Sequence, residues 1–116
     1  MKVTILVIAY NHSSYIRQCL GSVLMQDLPF ETEIIIADDF STDNTLEIIR
    51  EMLDGSSLEF KFLQTEKNLG LVKNYQRSLK LCSGDYIAVI EGDDYWTYPQ
   101  RLKKHVRFLD SHTECV

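Results

Sequence analysis

Two kinds of hydrophobic spacing alternate along the chain. Val3 to Ala9 is an unbroken apolar run rich in β-branched residues, the pattern of a strand buried on both faces of a parallel sheet. Tyr15, Ile16, Cys19, Leu20, Val23 and Leu24 then recur as one helical stripe. Asn11 or Ser13 is its candidate N-cap, and Asp27 to Thr32, with Pro29, ends it. Glu33 to Ala37 repeats the buried-strand pattern and stops at Asp38 and Asp39. Ser41 to Asn44 supplies caps for a second helix, whose apolar face is Leu46, Ile49, Met52 and Leu53 and whose end is Gly55. Leu58 to Leu63 reads as a third strand and Gln64 to Gly70 as a polar loop. Leu71, Val72, Tyr75, Leu79 and Cys82 mark the apolar face of a third helix, stopped by Ser83-Gly84. Tyr86 to Ile90 is a fourth strand and Glu91 to Tyr98 a loop. Pro99 then opens a fourth helix with Leu102, Val106 and Leu109 on one face.

Four strand-helix units joined by short connections predict an α/β fold: a Rossmann-like, doubly wound parallel sheet in three α/β/α layers, with right-handed crossovers. With strand order 3-2-1-4, ligands bind outside the carboxyl ends of the strands, near the switch point between strands one and four. The 116 residues suffice for one hydrophobic core and too few for two, so residues 1–116 form a single domain.

Composition narrows the partners. A net charge of −5, with Lys and Arg scattered among acids, gives no basic stripe for a nucleic-acid backbone, so nucleic acid is excluded. The same acidity means that a phosphate compound can be held only through a mediating cation, because bare carboxylates and phosphates repel at short range. Cys19, Cys82 and Cys115 are an odd number without a C-x-x-C pair, which points to free thiols in a reducing compartment and hence the cytoplasm. The apolar run from Val3 to Ala9 is too short for a signal sequence or a spanning helix. Peripheral attachment to the inner face of the plasma membrane is compatible with it.

The chemistry-bearing residues follow the strands. Tyr10-Asn11 stands after strand one, Asp38-Asp39 after strand two, and Glu91-Gly92-Asp93-Asp94 after strand four, so three segments converge on one crevice. Asp38 alone is equally well read as a solvated loop residue or helix cap. No G-x-G-x-x-G or G-x-x-x-x-G-K-[ST] follows strand one, so no glycine-rich backbone cradle receives a diphosphate. A hard divalent cation such as Mg²⁺, bridging phosphate oxygens to the Glu91-x-Asp93 carboxylates, is the alternative. Gly92 is expected to let the backbone fold tightly there. Tyr95 and Trp96 could wall a sugar site, although a hydrophobic latch over the sheet is the preferred reading. His12, His105 and His112 are expected in surface or packing roles.

Val7-Ile8-Ala9-Tyr10-Asn11, Ala37-Asp38-Asp39-Phe40-Ser41-Thr42-Asp43-Asn44-Thr45, Asn68-Leu69-Gly70 and Glu91-Gly92-Asp93-Asp94-Tyr95-Trp96 occur in order. Together they resemble the family-two inverting glycosyltransferases with the GT-A fold, over essentially the whole chain. The resemblance implies a nucleotide-diphosphate-sugar donor, a UDP-sugar favoured, bound with Mg²⁺ or Mn²⁺. It also implies sugar transfer, with inversion, to an acceptor saccharide or lipid-linked saccharide. By the same resemblance Tyr10 lies against the nucleobase and Asp39 hydrogen-bonds it, with Asp38 alongside. Asn68 and Gly70 complete the nucleotide site, and Asp93 is the metal-ligating acid. Glu91 stands where the family usually has the first Asp of its D-x-D, which directs it to the donor sugar or ribose, and Asp94 is directed to the sugar.

Lys73 and Asn74 fall on the helical turn that should face the nucleotide. Many family members carry an Arg-Asn pair slightly later, where this chain has Tyr75-Gln76, which weakens the case for a phosphate-binding arginine, and Lys73 is equally well read as a solvent-facing helix residue. The family's general base comes from an acceptor-binding half that follows the D-x-D segment. The chain is therefore expected to be a piece that binds donor without transferring sugar, and no residue is assigned as the base. Strand 86–90 is expected to expose an apolar edge through which two copies pair. Two alternatives are a non-catalytic nucleotide-sugar-binding module and a Mg²⁺-dependent receiver-like module, the latter requiring an acid pair after strand one.

Overall fold

The alternation read from the sequence is realised in the computed structural model, which describes all of residues 1–116. In chain order the elements are β1 (Lys2–Ala9), α1 (Ile16–Leu24), β2 (Glu31–Asp38), α2 (Thr45–Leu53), β3 (Glu59–Leu63), α3 (Leu71–Leu79), β4 (Tyr86–Glu91) and α4 (Arg101–Ser111). The four strands form one parallel sheet in the order β3-β2-β1-β4. Ile8 of β1 pairs with both Ala37 of β2 and Glu91 of β4. This register brings the three carboxyl ends level, so Tyr10, Asp39 and Glu91 emerge at the same end of the sheet.

Side-chain alternation along β1 and β2 sends apolar groups to both faces. Ile5, Val7, Ile34 and Ile36 pack with Ile16, Leu20 and Val23 of α1, Ile49 and Leu53 of α2, and Leu102 of α4. Leu6, Ile8, Ile35 and Ala37 point the other way, against Tyr75 of α3 and Cys82. Trp96 is 7% exposed within the larger cluster, and the Arg101 guanidinium lies 5.6 Å from its ring centroid, so it is the hydrophobic latch. On β4, an edge strand, Ile87 and Val89 remain exposed.

Several local expectations are corrected. Tyr15, not Asn11 or Ser13, stands at the N-cap of α1, with no side-chain cap bond. Asn11 and Ser13 instead tie the β1–α1 loop to the β2–α2 loop. Asn11 Oδ1 accepts from the Thr42 amide at 2.7 Å, and the Ser13 amide donates to Asp43 Oδ2 at 3.1 Å. Asn44 caps α2 without a side-chain bond, while Asp43 accepts from the Thr45 amide at 3.0 Å. Burial pushes the Asp43 carboxyl up, but the Thr45 hydroxyl and amide and the Ser13 amide outweigh it and bring the pKa to about 2. Pro99 precedes α4 rather than opening it, its carbonyl accepting from the Asp27 amide at 2.7 Å.

The largest departure is α3. Leu71, Val72 and Leu79 are exposed, whereas Asn74 and Ser78 are buried. The inner face of this helix covers strand termini whose carbonyls lack ladder partners, and polar side chains satisfy them. Asn74 Nδ2 donates to the Ala37 carbonyl at 3.0 Å. Arg77 donates to the Asp38 carbonyl at 2.7 Å and the Gln64 carbonyl at 2.9 Å. Cys82 lies in the turn beyond the helix.

Candidate functional site

A crevice of about 340 Å³ opens at the carboxyl end of the sheet. Tyr10 and His12 line it from the β1–α1 loop, Asp39 from the end of β2, Asn68, Gly70 and Asn74 from the start of α3, and Glu91 from β4. Its lining contains no Lys or Arg.

Asp39 shapes the crevice. It is 4% exposed, and its Oδ1 accepts from the Leu69 amide at 2.6 Å. Its Oδ2 accepts from the Gly70 amide at 2.9 Å and from Asn68 Nδ2 at 3.0 Å. These bonds hold residues 68–70 in a tight turn in which Gly70 takes φ +90°, a conformation natural only to glycine. Each carboxylate oxygen has two lone-pair sites, so Asp39 retains acceptor capacity toward a ligand N–H.

Its neighbour Asp38 stands behind the crevice wall. At 1% exposure it accepts from the Ser41 amide and hydroxyl, folding the turn in which Phe40 takes φ +66°. Strand alternation turns it to the side of Ile34 and Ile36, away from the site. Ser41 in turn accepts from the Asn11 amide at 2.9 Å, linking the two loops again. Tyr10 is 43% exposed and offers an open aromatic face.

On the opposite wall, Glu91 Oε1 accepts from the Tyr75 hydroxyl at 3.3 Å. Burial, followed by the Glu91 charge, pushes the Tyr75 phenol up, which keeps it a neutral donor. The Asp93 side chain is 51% exposed and accepts no hydrogen bond within the protein. Asp94 is exposed and closes its own turn, accepting from the Tyr95 amide at 2.8 Å; it does not line the crevice. Lys73 is exposed to solvent and also stands outside the lining. Beneath the turn the buried Cys19 thiol donates to the Glu91 carbonyl at 3.5 Å. Burial, with the Asp94 and Asp93 charges, pushes Cys19 up to about 12, so it is an inert thiol.

Gly92 is present for a reason other than the one expected. Its φ is not positive; instead, a Cβ there would lie 2.5 Å from Nδ1 of His12 and 3.1 Å from Ile16 Cδ1. The His12 ring is seated on the glycine, and its Nε2 lies 4.0 Å from Asp93 Oδ2. His12, expected in a surface or packing role, is therefore a wall of the crevice. Its place directly after Tyr10-Asn11 at a strand end is the signal that could have found it. Among the other histidines, His112 stacks on Phe108 with centroids 3.9 Å apart.

No three His, Cys, Asp or Glu side chains come together as a ready metal cage. Mg²⁺ and Mn²⁺ do not require one. Hard octahedral cations are commonly held by one or two carboxylates plus substrate phosphates and water. The unpartnered oxygens of Asp93, with Glu91 nearby on the same turn, fit that donor chemistry.

Comparison with known proteins agrees with this geometry. The family model described as Glycosyl transferase family 2 matches residues 4–116. The uncharacterized protein Mb1547 of Mycobacterium bovis is 41% identical over 111 residues, 96% of this chain and 32% of that protein. The chain thus spans about a third of the length of this relative. TarS 1-349 of Staphylococcus aureus, solved in complex with UDP, superposes with a TM-score of 0.86 at 35% identity, covering 97% of this chain and 33% of that one. The mannosyltransferase PcManGT of Pyrobaculum calidifontis, solved with GDP-Man and Mn²⁺, shares the fold at a TM-score of 0.85 and 24% identity, covering 92% of this chain and 32% of that one.

Proposed function

The chain belongs to glycosyl transferase family 2, and from that premise we propose that its crevice binds the diphosphate of a nucleotide-sugar donor, a UDP-sugar favoured, together with Mg²⁺ or Mn²⁺. One observation carries this reading: an exposed aromatic, Tyr10, and two acids, the loop-shaping Asp39 and Glu91, line a crevice without a single Lys or Arg, and the unpartnered Asp93 stands just outside that lining, beside His12. Such a wall accepts a diphosphate only when positive charge arrives with it. That TarS, 35% identical, was solved with UDP supports the uridine preference.

In this reading the Tyr10 ring stacks on the base and the remaining lone pair of Asp39 Oδ1 accepts a base N–H. Asp93 holds the dication, Glu91 the ribose or donor sugar within reach of the Tyr75 hydroxyl, and Asp94 a sugar hydroxyl at the rim. When bound, the cation offsets the negative charge that develops on the leaving diphosphate. The whole protein's reaction is then an inverting transfer to a hydroxyl of a saccharide or lipid-linked saccharide on the cytoplasmic side of a membrane. No helix here is long and apolar enough to cross one. Donor binding is the part of that activity that these residues carry.

Calorimetric titration with UDP and GDP, with and without Mn²⁺, tests the proposal. The expected result is binding seen only with the metal, stronger for UDP. Equal binding in the presence of a chelator would contradict it.

A further inference from the structure

His12 is the side chain that joins the two walls of the crevice. Its amide donates to Thr45 Oγ1 at 2.9 Å, and its carbonyl accepts from the Tyr15 and Ile16 amides at 2.9 and 2.8 Å, which fixes its backbone at the start of α1. Its ring, one fifth exposed, lies against Gly92 so closely that any Cβ at that position would collide with Nδ1. The Gly92 amide donates to the Ile8 carbonyl at 2.8 Å, so the turn beneath the ring is anchored to β1 as well. Nδ1 stands 3.4 Å from the Tyr10 amide and acts as its acceptor, which leaves the hydrogen on Nε2. Nε2 lies 4.0 Å from Asp93 Oδ2.

Asp93 has no other partner, and a half-exposed aspartate with free rotamers is a poor ligand until something restrains it. We propose that His12 is a positioning residue for Asp93: its Nε2–H, directly or through one water, holds the Asp93 carboxylate toward the crevice, and the glycine at 92 exists to admit the ring that does so. The role is distinct from packing, because the ring reaches the acid through a hydrogen-bond donor whose orientation the Tyr10 amide sets. A histidine that bonds the oxygen of a metal-binding carboxylate tightens metal binding without touching the metal.

The inference rests on the nucleotide-binding reading, and its test separates the two. Mn²⁺ affinity is measured at saturating UDP for the wild type, His12→Ala, His12→Gln and Gly92→Ala. Uridine binding without metal is followed through the Asp39 and Gly70 amide resonances. Removing the donor in His12→Ala is expected to weaken Mn²⁺ about tenfold. His12→Gln, whose amide N–H reaches the place of Nε2, restores most of it. Gly92→Ala, which displaces the ring, weakens Mn²⁺ as His12→Ala does, and the double variant is no weaker than either. Uridine binding, which meets His12 only as part of the crevice wall, falls by a clearly smaller factor than Mn²⁺ affinity in every variant.

Unchanged Mn²⁺ affinity in His12→Ala, a parallel fall in uridine binding, or no recovery with Gln would overturn the positioning role. A wild-type chain that shows no metal-dependent UDP binding would overturn the role and the nucleotide reading together.

Discussion

At the amino end of the sheet Glu33 is fully buried, whereas at the carboxyl end Asp93 stands half in solvent. Glu33 Oε1 accepts from the Thr4 hydroxyl at 2.6 Å and from the Ser83 amide and hydroxyl at 2.8 Å. Its Oε2 has no hydrogen bond, but lies 3.3 Å from Lys2 Nζ and 3.7 Å from Lys61 Nζ. Asp93 has nothing but a histidine nitrogen 4.0 Å away. Both are carboxylates at strand termini of one sheet. The first has its donors supplied by the chain and so serves the fold; the second lacks them and so is open to a ligand. Asp39 lies between the cases, with three bonds that build the loop and one lone pair, on Oδ1, left over.

The contrast is broken most severely by Glu33→Ala, which strands the Thr4 and Ser83 donors around a buried void and leaves the solvent-reaching Lys2 and Lys61 without their partner. Urea denaturation is expected to show a loss of about 2–3 kcal/mol, with metal-dependent UDP binding unchanged under folding conditions. Acid should act in the same direction. Burial raises the Glu33 carboxyl, but the Thr4 hydroxyl, the Ser83 amide and hydroxyl and Lys2 outweigh it and bring the pKa to about 2. A depressed folded-state value contributes stability above the ordinary carboxylate value of 4.5, and that contribution fades as pH falls from there toward 2. The Glu33→Ala variant should lose this part of the acid dependence, measured as urea midpoints at neutral and acidic pH.

The mirror-image substitution, Asp93→Ala, should cost about 2–3 kcal/mol of metal-dependent UDP binding. Its stability should stay within about 0.5 kcal/mol of wild type, because the side chain makes no internal hydrogen bond. A variant at either end that lost stability and binding together would erase the distinction between them.

How much of this was legible before coordinates differs by region. β1 and β2 stand out because a strand buried on both faces must be apolar at every position, and Ile34-Ile35-Ile36 has no other reading. Given the order β3-β2-β1-β4, which alternation permits but does not dictate, the meeting of Tyr10, Asp39 and Glu91 follows from register. The inner face of α3 was not legible, since periodicity assigns apolar residues inward. Here the neighbours are carbonyls at strand ends, which want Asn74 and Arg77 instead. His12 and Gly92 were not legible as a pair either. Their contact joins loops 80 residues apart, and no local pattern encodes a ring resting on a glycine. Asp38 shows the converse: adjacent to Asp39 in sequence, it belongs to the turn at Ser41 rather than to the site.

The position of a bound Mn²⁺ on the folded chain tests the central claim most directly. With UDP present, paramagnetic broadening of amide resonances should centre on His12 and on Glu91 to Asp94, reach Tyr10 and Gly70, and leave Thr4, Glu33 and Ser83 sharp. Broadening centred on the amino end of the sheet, or spread evenly over the surface acids, would contradict the claim that the carboxyl end is built to receive a dication with its diphosphate.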